Sequence, residues 1–305
     1  MEWFLKSASE VYAFDYFGII IVVSLLECVV PRRDAGNALR LRWLSNFGIS
    51  IIGTVVSRAL FPLVGVGWAA LCGARGWGLF NRVPSPIWLT FVVTLLFLDL
   101  VAYGQHYLLH RIPWLWRLHR AHHTDQEYDF STGARFHPLE TVYTNAVMIG
   151  AIAVLGAPPF AVFVAQLVST AIGFAEHANV RMPALLDSLL RLVVVTPDMH
   201  RIHHSEEAGD NQSNYGGTFP WWDRMFDTYL DQPARGQDGI VFGVEGFGGR
   251  KHHTLPWMLA QPFLHEQRQD VAVGATPGTL RNLSGVISPH GIGERIDRQV
   301  GQHSR

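Results

Sequence analysis

Long apolar runs alternate with short polar stretches over the first 176 residues, and that alternation predicts the elements. The run Phe14 to Val30 is long enough to cross a bilayer core, which takes about 17 residues of helix or more. Asp15 and Glu27 sit near its ends, and it has neither a basic start nor a small-residue cleavage site, so it reads as an anchor and not as a removed signal peptide. A second run, Phe47 to Cys72, is interrupted by Arg58 and Pro62 and predicts either one kinked span or a re-entrant pair. A third runs from Ile87 to Tyr103. Val142 to Ala175 then predicts two apolar helices hinged at "GAPP", Gly156 to Pro159, a membrane hairpin. Several of these runs lack the polar face of a surface helix. The fold class expected is all-α, an integral membrane helical bundle of about four to five spans.

Past Ala175 the pattern turns polar. Leu185 to Val195 is short, with Asp187 and Arg191 four apart, and reads as a helix lying along the membrane surface. From Asp231 onward Gly, Pro and polar residues dominate; Leu255 to Phe263 is expected to dock on the membrane or on the domain, and residues after about Glu266 read as a loose tail.

Arginines orient the bundle. The connection after the first run carries Arg32, Arg33, Arg40 and Arg42, and the segment after the third carries Arg111, Arg117, Arg120 and Arg135. By the positive-inside tendency both face the cytoplasm. If the second run is a single span, every histidine cluster falls on that side.

Composition narrows the classes. Charged residues make up 16% of the 305, against about 25% in an average soluble protein. A net charge of -1 gives no sign of a nucleic-acid partner. Two cysteines in apolar runs, Cys28 and Cys72, offer neither a disulfide framework nor a thiolate metal site. Histidine is the unusual residue: 15 in all, ten of them between His106 and His204.

Those histidines are patterned. "LHRAHH" ends at His123 and "MHRIHH" at His204, so His-x-x-His-His is written twice, and "HYLLH" places His106 and His110 four apart. Residues three and four apart share a helix face, so each cluster can aim two or three imidazoles at one place. Pro113 ends the helix of His106 and His110, and a new one starts at Trp114. Thr196 is a good N-cap, Pro197 suits the first helical position and Asp198 the N-terminal dipole, which predicts a helix through "PDMHRIHHSEE" stopping near Gly209. His177, in "FAEHANV", can point back at the same spot from the membrane end. A chance His-x-x-His-His is expected only about 0.04 times in such a chain. Packed imidazoles repel when protonated and need partners when neutral; a metal resolves both problems. His252, His253, His265, His290 and His303 read as ordinary surface or core residues. Nine ligands exceed one ion, and two ions would take four or five each. Structural zinc is closed by four ligands, typically including Cys, so an all-histidine pair with open positions better fits iron that binds dioxygen. There is no Glu-x-x-His of the carboxylate-bridged kind, no HExxH and no P-loop; "GVGWAA" lies in an apolar run and suits close helix packing.

"DLVAYGQHYLLHRIPWLWRLHRAHHT", "RFHPLE", "EHANV", "MHRIHH" and "NYGGTFPWWDRMFDTY" together resemble the fatty acid hydroxylase/sterol desaturase superfamily, over roughly Leu98 to Tyr229. The resemblance implies a membrane-embedded, non-haem di-iron oxygenase that hydroxylates or desaturates a lipid C–H bond. It would use two Fe ions, O2, and electrons from an external ferredoxin- or cytochrome-like donor. The lipid would enter from the bilayer, and the metal centre would lie on the cytoplasmic face. By position the ligands would be His106, His110, His119, His122, His123, His177, His200, His203 and His204, with no catalytic residue beyond them. His137 stays open between ligand and turn residue, since Pro138 argues for a turn. Asp99, seven residues before His106, is the expected carboxylate partner of a ligating imidazole, because Asp near the end of an apolar run is costly unless used. Tyr107 stands where Arg often follows the first His, and Asp227 where Gly is frequent. The domains expected are 1–86, N-terminal spans; 87–231, the catalytic unit with its hairpin; and 232–305, a partly flexible polar extension. Trp114, Trp116, Trp221 and Trp222 read as an interfacial aromatic belt, or as the lining of a lipid channel. Rival functions are a membrane metal transporter, a bis-histidine haem electron carrier and a zinc hydrolase.

Overall fold

Proline sets where the helices nearest the histidines begin. The computed structural model describes residues 2–34, 36 and 38–264. In it Pro113, Pro138, Pro159 and Pro197 each open a helix, where the missing N–H costs nothing and φ is already helical. Among the described residues the chain is all helical, with two isolated backbone bridges and no sheet.

Five segments are long and apolar enough to cross a membrane. They are built from α1 (Glu2–Val29), α2 (Leu39–Leu60), α3 (Gly65–Arg75), α4 (Ile87–Arg111), α6 (Pro138–Leu155) and α7 (Pro159–Glu176), with α5 (Pro113–His123) between α4 and α6. Phe14, Ile51, Ile87, Val154 and Phe160 point outward, at 59% exposure or more, as side chains in contact with lipid would. Inside, Ala69, Leu98, Ile152, Leu155 and Val162 join α3, α4, α6 and α7. Val23, Phe130 and Phe174, with Trp43 and Phe47 against them, join α1, α2 and α7.

The second apolar run resolves as one kinked span. At its start Arg42 reaches Asp125 and Asp129, beside the histidines. Its far end leads to Gly78, where a Cβ would come within 2.1 Å of the Gly156 backbone at the hairpin tip. Two glycines with positive φ therefore let the α3–α4 connection and the α6–α7 turn close on each other, at the end of the bundle away from the histidines. The first arginine-rich connection lies at the histidine end: Arg32 pairs with Asp198, and Arg33 donates to the Ile240 carbonyl at 2.6 Å.

The polar part packs over that end. α8 (Ala184–Leu190) leaves Leu185, Leu186 and Leu189 exposed, as a surface-lying helix would. α9 (Pro197–His203) begins as expected, with Thr196 Oγ1 accepting from Met199 N at 3.3 Å. It ends at His203 and not near Gly209, because Ser205 bridges to Phe242 and Glu206 N donates to the Val241 carbonyl, 2.8 Å away. After the short α10 (Ala208–Asn211) comes α11 (Trp221–Met225), and two residues past it Asp227 holds φ +57, in the left-handed region that favours Gly. α12 (Leu255–Ala260) docks on the domain: Arg120 donates to the Gln261 carbonyl and Gln261 Nε2 to Thr124 Oγ1 at 2.9 Å. The tail expected after Glu266, with His265, His290 and His303, lies outside the described residues.

Candidate metal centre

Nine imidazoles converge where α4 and α7 reach the end of the bundle. They sort into two groups, His106, His110, His119, His123 and His203 in one, His122, His177, His200 and His204 in the other. Within each group the donor atoms all lie within 4.8 Å of one another. The sorting cuts across the sequence motifs. Each His-x-x-His-His keeps its i, i+4 pair in one group and sends its middle histidine to the other: His119 and His123 stand apart from His122, and His200 and His204 from His203. The two copies thus clasp each other, and each half of the site needs both.

The spacings fit bound ions. Nε2 atoms of His106 and His119, of His119 and His123, and of His110 and His123 are 3.1 Å apart. In the other group the steps are His122–His177 at 3.2 Å, His177–His200 at 3.1 Å and His200–His204 at 3.2 Å. Two imidazole nitrogens at right angles on one ion, each ~2.1 Å from it, lie ~3.0 Å apart. His203 Nε2 is buried and has no hydrogen-bond partner.

Protonation states agree. Burial, then the neighbouring imidazoles, holds His122, His123, His200 and His204 well below the usual histidine range. Burial lowers His177 to about 4, although its Nδ1–H donates to the Gly173 carbonyl, and lowers His203 to about 3. Neutral imidazoles offer the lone pairs that a metal takes.

The outer nitrogens are held in turn. His119 Nδ1 meets Glu140 Oε1 at 2.6 Å, His106 Nδ1 donates to the Tyr215 carbonyl at 2.8 Å, and His203 Nδ1 to the Ser213 carbonyl at 2.8 Å. Such bonds fix ring orientation and raise ligand basicity. The Glu176 carboxylate, also buried, lies 3.8 Å from His177 Nδ1 and 3.9 Å from His200 Nε2.

One expectation is corrected here, and one question left open is resolved. Asp99 does not reach an imidazole; its Oδ2 accepts from Trp222 Nε1 at 2.7 Å and from Phe219 N at 3.3 Å, tying α4 to the loop before α11. Its expected partnership falls instead to Glu140, a carboxylate in the first turn of an apolar helix, which is the signal that would have found it. His137 belongs to neither group. It caps α6, with Nδ1 accepting from Leu139 N at 3.1 Å and Nε2 facing the Leu259 carbonyl at 3.2 Å, so the chain turns at His137 into the helix that Pro138 opens.

A buried ionic knot locks the first motif to α2. Arg42 grips Asp125 with two bonds, 2.7 and 2.9 Å, and Asp129 with a third of 2.8 Å. Burial alone would raise the Asp125 carboxyl, but Arg42 and Arg135 outweigh it and hold it well below the carboxylate range. Arg135 donates to the Ala121 carbonyl at 2.7 Å, within the motif itself.

A cavity of about 250 Å³ lies among α3, α4, α6 and α7, and no histidine among the described residues lines it. It is mostly apolar, with Asp99, Asn145, Gln166 and Ser169 as polar points, and Ala102 and Phe219 in its wall. Ala102 is one helical turn from His106, a rise of about 6 Å along α4. The four tryptophans do not line the cavity. Trp116 packs on His110 and His123, with ring centroids 4.9 and 5.4 Å away, and Trp114 is exposed.

The matches to known proteins cover the stretch that carries the nine histidines. The family model described as fatty acid hydroxylase matches residues 91–228. An ornithine lipid hydroxylase of Rhizobium tropici is 29% identical over 87% of this chain and 79% of its own length. An alkylglycerol monooxygenase of Caenorhabditis elegans is 31% identical over 51% of this chain, and its human namesake 29% over 70%. The chain spans only 29% and 45% of those two relatives. No solved structure matches.

Proposed function

This chain belongs to the fatty acid hydroxylase/sterol desaturase superfamily as an integral membrane oxidoreductase, and from that premise we propose that it is a non-haem di-iron oxygenase that hydroxylates a C–H bond of a polar lipid. The observation that carries the reading is the pair of imidazole groups, five and four, at one end of a membrane bundle. His106, His110, His119, His123 and His203 would hold one iron, and His122, His177, His200 and His204 the other. When bound, the metal pair supplies dioxygen activation and hydrogen removal from the C–H bond. The histidine motifs with their hairpin, 87–231, form the catalytic unit, 1–86 the supporting spans, and 232–305 an extension whose stretch to Leu264 packs on the site. The arginines beside the histidines support a cytoplasmic metal face, where a ferredoxin- or cytochrome-like donor can bring electrons.

The chain's own residues position and exclude. The carbonyls of Tyr215 and Ser213 and the Glu140 carboxylate hold three imidazoles in one orientation. Buried rings on all sides keep bulk water away. The cavity takes the lipid chain, with its target carbon brought past Ala102, while Asn145, Gln166 and Ser169 meet a polar linkage. Polar groups in the cavity favour a lipid with an ester, ether or amide near its chain over a plain hydrocarbon. Hydroxylation is preferred to desaturation because the relatives are named hydroxylases and monooxygenases.

The rivals fit less well. A haem carrier needs two imidazoles on opposite faces of a macrocycle, and rings 3.1–3.2 Å apart at their nitrogens leave no slot for one. A transporter needs ligands spaced along a path through the spans, yet all nine sit at one end. A single zinc leaves five imidazoles or more unused.

The test is to incubate membranes carrying the protein with polar lipid extract under 18O2. The expected product is a lipid with one added oxygen that carries the label. A lipid profile identical to that of membranes lacking the protein, or label arriving only from water, would refute the reading.

A further inference from the structure

Three tyrosine rings lead away from the imidazoles, and nothing in the hydroxylation uses their phenols. Tyr215 is fully buried, with its ring centroid 5.7, 5.2 and 5.4 Å from those of His106, His110 and His203. Tyr107 follows at 5.4 Å and Tyr103 at 6.4 Å, and those two are 6.5 Å from each other. Tyr107 is half-buried and Tyr103 is buried. The Tyr103 hydroxyl is 2.9 Å from Thr228 Oγ1, which donates to Asp223 Oδ1 at 2.7 Å. Tyr103 is therefore the donor to Thr228, and the chain of hydrogen bonds ends on a carboxylate.

We propose that Tyr215, Tyr103 and Tyr107 form an oxidation relay, which draws oxidising equivalents out of the metal centre when dioxygen is consumed with no lipid in place. The proposal rests on the di-iron oxygenase reading above. Phenols are oxidised one electron at a time, and rings in near contact pass an electron quickly. In productive turnover the lipid C–H bond and the external donor each supply two electrons, and dioxygen ends as one hydroxyl group and one water. Without lipid, two electrons are missing. Tyr103 and Tyr107 supply them, each losing one electron and its phenolic proton to become a phenoxyl radical, with Tyr215 as the bridge. With two electrons from the donor and four protons taken up from solvent, dioxygen ends as two waters, and the two phenolic protons are released. The Tyr103 proton passes to Thr228 as Thr228 passes its own to Asp223; the Tyr107 proton leaves to solvent. Burial raises the Asp223 carboxyl to about 6, which makes it a ready acceptor. The radicals are then quenched by reductants reaching Tyr107. The relay spares the ligating imidazoles and Trp116, which packs against His110 and His123 on another side.

The experiment mixes reduced, iron-loaded, full-length protein with O2 in the absence of lipid, freezes it, and records the electron paramagnetic resonance spectrum. Tyrosyl radicals are expected, their signal falling about two-fold in Tyr103→Phe or in Tyr107→Phe alone. Mass spectrometry should find oxidised histidine and Trp116 increased several-fold in the double variant. With lipid present, Tyr107→Phe should keep the wild-type initial rate. A protein that hydroxylates lipid but shows no radical, a signal undiminished from wild type in both variants, or wild-type oxidation confined to Trp116 would overturn the relay while leaving the hydroxylase reading intact. Absence of oxygen uptake by iron-loaded protein would overturn both.

Discussion

Glu140 stands 2.6 Å from the Nδ1 atom of His119, both side chains 2% exposed, so a carboxylate at the start of a membrane span orients a histidine from the helix before it. Removing it should loosen the five-histidine group without unfolding the bundle. Glu140→Ala is expected to weaken metal retention by about 10–100-fold, the usual effect of losing such an outer partner. Chelator titration followed by metal analysis measures it. Unchanged retention would mean that the carboxylate only caps α6.

Arg42 is the charge on which the ionic knot depends. Arg42→Met leaves Asp125 and Asp129 buried without it and should cost about 3–5 kcal/mol. Thermal unfolding in detergent reads the loss. Arg42→Met combined with Asp125→Asn should recover part of it, because one buried charge goes with its partner; a double variant less stable than the single would contradict the pairing.

Because each motif serves both halves of the centre, single histidine losses should sort by group and not by motif. His122→Ala and His204→Ala, from different motifs, should both deplete the four-histidine half, leaving about one metal per chain, as four ligands fall to three. His123→Ala should deplete the other half, although it neighbours His122 in sequence. Metal stoichiometry and spectroscopy of the remaining ion separate the two outcomes.

His253 gives a pH dependence away from the ligands. Burial holds its imidazole down to about 4 in the folded chain, whereas an unfolded chain takes the proton near 6.5. Acid therefore favours unfolding between these values: the contribution to stability is complete above pH 6.5 and is lost as pH falls toward 4. From pH 7 to pH 5, His253→Gln should lose less stability than the wild type, by about 1–2 kcal/mol. Parallel loss in the two proteins would show that His253 is not held neutral.

Much of this was legible in the residues. Apolar runs marked the five candidate spans, and Pro113 marked the break after α4, Pro159 the hinge of the hairpin and Pro197 the start of α9, because proline acts through local geometry. The convergence of the nine histidines was legible for eight of them in spacing that encodes a shared face, and for His177 in its place at the end of the hairpin. Their sorting was not, because three- and four-residue spacings both satisfy one face, and only the approach of α9 to α5 decides which ring goes where. Asp99 was misjudged for a related reason. Its partner Trp222 lies 123 residues further on, and nothing local to α4 announces it. The Arg42–Asp125 grip spans 83 residues and was invisible in the same way.

The central claim is that two ions share nine imidazoles. Metal analysis of anaerobically purified protein, with Mössbauer spectroscopy of an 57Fe-loaded sample, tests it most directly. The account predicts about two non-haem irons per chain, in two environments matching five and four nitrogen ligands. One tightly bound ion per active chain, stoichiometric haem, or full activity in metal-free protein would contradict it.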